Sequence, residues 1–184
     1  MAKLKVGVLV GSNRRESLNQ KFANALVRLM GDRIEAHFVR IDDLPMYNGD
    51  LEADRPAVVN RFTGEIASSD ALLFVTPEHN RSITAVLKNA IDWGSKPVGR
   101  NVWKGKVSVI TGTTPGAIGT AVGQQHLRQI LGILGSLVIG GEAYITFKPE
   151  LINNAGEIGI ETSHAFLESY LGTFLETATK LASA

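Results

Sequence analysis

The chain reads as a doubly wound α/β protein, with a five-stranded parallel sheet of order 2-1-3-4-5 and helices on both faces. Three observations predict it. Short apolar runs alternate with amphipathic segments along the chain, in the pattern β-α-β-α-β-α-β-α-β-α. The runs at 6–10 and 71–76 are apolar almost without interruption, as strands covered on both faces are. The order 2-1-3-4-5 then lets right-handed crossovers clothe both faces. At 184 residues the chain suits one domain, 1–184, with enough length to bury a full core.

The first strand ends abruptly in Gly11-Ser12-Asn13-Arg14-Arg15-Glu16-Ser17, and a helix starts at once. That helix spans Leu18–Met30, with Phe22, Ala25, Leu26 and Leu29 on one face, and Ser17 with Gln20 fits a capping box. The second strand is expected at 34–41, followed by a polar, turn-rich loop at 42–55 that carries Pro45. A helix at 56–68 has Pro56 in its first turn and Val58, Val59, Phe62 and Ile66 as its buried stripe. The third strand, 71–76, runs into Pro77-Glu78-His79-Asn80-Arg81-Ser82. The third helix, 83–93, keeps Ile83, Val86, Leu87, Ala90 and Ile91 in register.

A loop at 95–105 leads to the fourth strand, 106–111, and a Gly- and Thr-rich loop at 112–119. The fourth helix, 121–134, turns Leu127, Ile130, Leu131 and Leu134 inward. A short fifth strand follows at 137–139, then an irregular stretch at 144–159. The last helix, 161–181, is expected to bury Phe166, Leu167, Tyr170, Leu171 and Phe174. No repeat, low-complexity tract or interdomain linker interrupts the pattern.

Composition narrows the function. Without cysteine there is no disulfide, thiolate catalysis or cysteine-held cluster. His37, His79, His126 and His164 follow no metal-ligand spacing, so no metal is expected. A net charge of +1 argues against a nucleic-acid partner, which needs a basic face, and sets the chain apart from a strongly acidic carrier. The apolar run behind the first lysines is too short for a signal peptide, and nothing approaches a membrane span, so the expected compartment is the cytoplasm.

In the order 2-1-3-4-5 the chain reverses between strands one and three, and ligands bind at such a switch point. The loops after strands one, three and four all emerge there. Loop one offers the hydroxyls of Ser12 and Ser17, the amide of Asn19, two guanidinium groups and a helix N-terminus, the donor set that a phosphate dianion wants. The same residues also suit a plainly capped helix. Loop three is more polar than a turn requires and has the groups to line a flat aromatic ligand, although a proline-started turn uses similar residues. The glycines of loop four allow close approach of backbone to a ligand, or simply a flexible crossover.

Several rival signatures are missing. No two glycines are spaced i, i+2, which removes the dinucleotide fingerprint. Gly99 to Gly105-Lys106 is one residue too long for a P-loop, and Val107 stands where Ser or Thr is needed. No serine lies in a G-x-S-x-G elbow, and no acid pair follows strand one. Among common ligands of this topology a mononucleotide such as FMN remains.

Three motifs carry a resemblance. They are Gly11-Ser12-x-Arg14-x-x-Ser17-x-Asn19, then Thr76-Pro77-Glu78-His79-Asn80, then Leu87-Lys88-Asn89-Ala90-Ile91-Asp92-Trp93. Together they resemble the NADPH-dependent FMN reductase family, whose fold is a flavodoxin-like three-layer sandwich, and within it the bacterial quinone and chromate reductases. His79 stands where that family usually has tyrosine. The resemblance implies that Ser12, Arg14, Ser17, Leu18 and Asn19 hold the FMN phosphate. It implies that Pro77, Glu78, His79 and Asn80 run along the isoalloxazine, with Arg81 at the lip, and that Thr113, Thr114 and Gly116 approach from the strand-four side.

It further implies NAD(P)H as donor, small-molecule acceptors such as quinones, flavins or chromate, and a homodimer or homotetramer. Gln124, Gln125, His126, Arg128 and Glu142 are the expected interface residues. Lys88, Asn89 and Asp92 are expected to hold helix three against loop three. No catalytic acid or base is named, because the flavin carries the chemistry. A flavin-binding electron carrier without NAD(P)H activity is the alternative.

Overall fold

The computed structural model describes residues 3–182. Five strands form the expected path: β1 (Leu4–Val10), β2 (Ile34–Phe38), β3 (Ala71–Val75), β4 (Val107–Thr114) and β5 (Leu137–Val138), all parallel and in the order β2-β1-β3-β4-β5. Between and after them come α1 (Leu18–Met30), α2 (Ala57–Ala67), α3 (Ala85–Gly94), α4 (Ala121–Ile133) and α5 (Glu161–Ala182). The fold is flavodoxin-like, as the sequence predicts.

Alternation along the central strands sorts two cores. Val6, Val8 and Val10 of β1, with Ala71, Leu73 and Val75 of β3, pack under α1 and α5. Leu9, Leu72, Phe74 and Ile110 face the opposite way, under α2, α3 and α4. Trp93 and Trp103 are the largest fully buried side chains, both in this second core. Their indole N–H groups are satisfied, Trp93 by the Pro45 carbonyl at 2.7 Å and Trp103 by the Ile91 carbonyl at 3.0 Å.

The sheet departs from expectation at its edge. Residues 144–159, read as irregular, include a sixth strand, β6 (Ala143–Thr146), which also pairs with β4. β5 pairs Leu137 with Val107, whereas β6 pairs Ala143 with Thr111. The edge side therefore carries two more residues than β4 between those pairs, and the chain detours over 139–142. Arg128 of α4 holds the detour, donating to the Ile139 carbonyl at 2.7 Å and the Gly141 carbonyl at 2.9 Å. Pairing with β6 carries β4 to Thr114, three residues past the expected end, so Thr113 and Thr114 belong to a strand and not to a loop.

Other boundaries move less. β2 stops at Phe38 and not at 41, because it is paired only along β1. α3 starts at Ala85, with Thr84 as its N-cap, two residues later than expected. Phe166 is not buried: it is 45% exposed and stacks on Tyr170, while Leu167, Tyr170, Leu171 and Phe174 carry the inner face. Gly112 is needed where β4 crosses β3, since a Cβ there would drive into the Thr76 carbonyl. Among the described residues no helix is long and apolar enough to cross a membrane.

Candidate functional site

At the carboxyl ends of β1, β3 and β4 lies a cavity of about 520 Å³, within the size range of small-molecule sites. Four segments build its wall. Loop one gives Ser12, Asn13, Arg14, Ser17, Leu18 and Asn19; loop three gives Pro77, Glu78 and His79. The end of β4 gives Thr113, Thr114 and Pro115, and the start of α3 gives Thr84, Ala85 and Val86.

Loop one leaves the sheet in two steps. The Gly11 N–H still donates to the Val75 carbonyl at 2.9 Å, and the Ser12 N–H then turns back to the Val10 carbonyl at 2.8 Å. Ser17 is buried and its hydroxyl accepts from the Gln20 N–H at 3.2 Å, capping α1. The Gln20 amide reaches Asn24 instead of returning to Ser17, so only half of the capping box forms. The N–H groups of Leu18 and Asn19, in the first turn, have no acceptor within the helix, and both residues line the cavity. With the helix dipole and the Arg14 guanidinium they make a site for an anion.

Asn19 joins that wall to the sheet. Its side-chain N–H donates to the Thr113 carbonyl and its oxygen accepts from the Thr113 N–H, both at 2.9 Å and buried. Thr113 lines the cavity, and its hydroxyl, closed off from solvent, has no partner. A buried polar group left so costs about 1–3 kcal/mol. A ligand with a polar edge at β4 and an anionic group at loop one fits what these residues offer, and FMN has both.

Loop three is a tight hairpin. His79 and Ser82 exchange both backbone hydrogen bonds, at 2.9 and 3.0 Å, around Asn80 and Arg81 at φ 50° and 62°. This is a type I′ turn, for which glycine at the second tip position is the usual choice. Glu78 bridges the turn and α4. Its carboxylate accepts from the Gly123 N–H at 3.1 Å and so caps α4, whose own N-cap Thr120 makes no side-chain cap bond. Its other oxygen meets Arg81 at 3.2 Å.

Ser12, Arg14, Ser17, Leu18, Asn19, Pro77, Glu78, His79, Thr113 and Thr114 are thus brought to one cavity. Asn80 and Arg81 lie at the exposed turn tip, and Gly116 is exposed beyond Pro115; none of the three lines it. Asn13, Thr84, Ala85, Val86 and Pro115 line the cavity without having been singled out. Thr84 was the legible one among them. It caps α3 by accepting from the Leu87 N–H at 3.3 Å, and it donates to the Gly11 carbonyl at 2.8 Å, tying loop one to α3. Reading the helix start two residues early hid that cap.

The α3 motif does different work from that expected. Asn89 accepts from the Tyr47 N–H at 2.7 Å and donates to the Pro45 carbonyl at 3.0 Å, and Trp93 shares that carbonyl. These residues hold the 42–55 loop, not loop three. Lys88 and Asp92 pair with each other along the helix surface at 2.8 Å. Of the expected interface residues, Gln124 is buried, its amide donating to the Thr120 hydroxyl and the Ala143 carbonyl.

Comparison with known proteins agrees with this geometry. The sequence model of the family described as NADPH-dependent FMN reductase matches residues 4–150. A 2-hydroxy-1,4-benzoquinone reductase of Burkholderia sp is 42% identical over 93% of this chain and 94% of its own length. A quinone reductase of Pseudomonas putida is 43% identical over 92% of this chain and 91% of its own. The solved structure of FerB, a flavoenzyme NAD(P)H:(acceptor) oxidoreductase from Paracoccus denitrificans, superposes with a TM-score of 0.93 at 42% identity, covering 96% of this chain and 98% of that one. From its anion-ready first loop to its overall likeness, the chain belongs to the NADPH-dependent FMN reductase family.

Proposed function

We propose that the chain is one FMN-binding domain that takes electrons from NAD(P)H and passes them to a quinone. The observation that carries this reading is the convergence of loops one and three and the end of β4 on one cavity, with the start of α1 in its wall. FMN, when bound, supplies the two-electron chemistry. The N–H groups of Leu18 and Asn19, the hydroxyls of Ser12 and Ser17 and the Arg14 guanidinium would hold its phosphate. Pro77, Glu78 and His79 would line the ring's part of the cavity, while Asn80 lies outside it. Thr113 and Thr114, at the end of β4, would line the same pocket from the sheet side.

Glu78 orients the hairpin by its bond to α4, and Asn19 fixes the distance between the phosphate end and β4. The names of the relatives support a quinone as acceptor; free flavin and chromate are the other candidates. Use of NAD(P)H supports a cytoplasmic location. A homodimer or homotetramer would use the α4 surface, where Gln125, His126 and Glu142 are exposed.

The purified protein is expected to be yellow, to bleach on anaerobic titration with NADPH and to recover its colour with a quinone. A colourless protein that neither binds added FMN nor oxidises NADPH would overturn this. A coloured protein without NADPH turnover would leave an electron carrier in its place.

A further inference from the structure

FMN accounts for the electrons of the reaction but leaves one proton without a source. Reducing a quinone to a hydroquinone takes two electrons and two protons, and NAD(P)H brings both electrons with a single hydrogen nucleus. The balance is NAD(P)H + quinone + H⁺ → NAD(P)⁺ + hydroquinone, so one proton reaches a quinone oxygen from elsewhere. A positioned side chain that delivers such a proton speeds the step by about a hundredfold or more.

Three residues of the cavity wall have ionisable side chains: Arg14, Glu78 and His79. A guanidinium does not give up its proton in a protein. Both Glu78 oxygens already accept, one from the Gly123 N–H and the other from Arg81, so that carboxylate has no proton to offer. His79 is left. It is exposed to solvent, and among the described residues its ring makes no hydrogen bond or ion pair. Its backbone is fixed, because it exchanges both hydrogen bonds with Ser82 across the turn. The other charged or titratable groups around it are Arg81 on the turn and His126 of α4, whose Nδ1 lies 3.0 Å from the Ser82 hydroxyl. The end of β4 and the start of α3 bring none to the wall. Imidazole is the side chain that exchanges protons near neutral pH. A histidine that lines a cavity and also meets bulk water can be recharged after each turnover.

We propose that His79 is the proton donor to the quinone. As the electrons arrive, a ring N–H bond breaks and an O–H bond forms on the quinone oxygen. The electron pair stays on the imidazole nitrogen, which regains a proton from solvent. The inference rests on the FMN-dependent quinone reduction proposed above, and it adds the group that completes the proton balance.

Reoxidation of the NADPH-reduced holoenzyme, followed by stopped flow with two acceptors, tests this. 1,4-Benzoquinone must gain protons to become hydroquinone, whereas ferricyanide takes electrons alone. In His79→Ala, and in His79→Gln as the variant closer in size, reoxidation by benzoquinone should slow at least about tenfold and that by ferricyanide no more than about twofold. Imidazole added to the alanine variant should restore part of the benzoquinone rate. In the native holoenzyme the His79 ring resonances, assigned by their loss in the variants, should shift when hydroquinone is added. Equal slowing with both acceptors, an unchanged benzoquinone rate, or ring resonances indifferent to hydroquinone would overturn the assignment alone. A native protein that NADPH does not reduce would overturn the proposed function, and this inference with it.

Discussion

Loops one and three look alike in sequence, both short, polar and charged after a buried strand, yet the structure uses them in opposite ways. In loop one the structural bonds are made by buried groups, Ser17 to α1 and Asn19 to β4, which leaves backbone N–H groups of the first helical turn open to the cavity. In loop three the polar groups satisfy one another: the I′ turn closes on itself, and Glu78 divides its oxygens between α4 and Arg81. Loop one therefore keeps donors for an anion, whereas loop three, its polar groups bonded to one another and to α4, gives the cavity wall and few free donors.

The largest effect should come from the bond that separates the two cases. Asn19→Leu leaves the Thr113 N–H and carbonyl buried without partners, at a cost of about 2–4 kcal/mol. For a chain of this size that lowers Tm by about 5–15 °C, and FMN affinity should fall with it, because the phosphate end and β4 lose their common anchor. Thermal melts with and without added FMN measure both. An unchanged melt would mean that the α1–β4 junction is held by apolar packing alone.

Ser17→Ala is the next smaller step. Loss of the N-cap costs about 1 kcal/mol, and FMN affinity should drop by about tenfold as a phosphate donor goes. Flavin-fluorescence titration gives the affinity and urea unfolding the stability. If stability falls and affinity does not, Ser17 is a cap only.

The path through the sheet was legible because the strand period and the right-handed crossover rule leave few alternatives for five buried runs. The edge was not. Ala143–Thr146 has strand character, with Ala143 and Ile145 inward and Tyr144 and Thr146 half-buried, but four residues after Gly140-Gly141 are too few for the period to declare itself. That missed strand is also why β4 was cut short and Thr113 placed in a loop. The helix start after loop one was legible because its signal is local: Ser17 stands before Leu18 and caps α1 through the Gln20 N–H. The α3 motif was assigned to the wrong loop because partners 42–48 residues away, such as Tyr47 for Asn89 and Pro45 for Trp93, leave no trace in spacing.

Glu78 offers a comparison within one residue. Glu78→Ala removes the acceptor for the Gly123 N–H, at about 1 kcal/mol, and both variants lose the exposed Arg81 ion pair, whereas Glu78→Gln keeps an acceptor and loses charge beside the helix dipole, at about 0.3–1 kcal/mol. The glutamine variant should therefore keep more stability and more FMN than the alanine variant. Equal losses would place the negative charge itself, and not the hydrogen bond, at the centre of the residue's role.

The smallest effect belongs to the turn tip. Arg81 sits at φ 62°, where a non-glycine residue carries about 1–2 kcal/mol of strain. Arg81→Gly removes that strain but widens the unfolded ensemble by about 0.4–1 kcal/mol and gives up a mostly exposed ion pair of about 0–1 kcal/mol. The contributions nearly cancel, so Tm should move by no more than about 2 °C, with FMN affinity unchanged. Arg81→Val puts a β-branched side chain into the same strained geometry and should lose about 1–2 kcal/mol. A glycine variant that held FMN less tightly would show that the Arg81 side chain reaches the cofactor, and the contrast between the two loops would no longer stand.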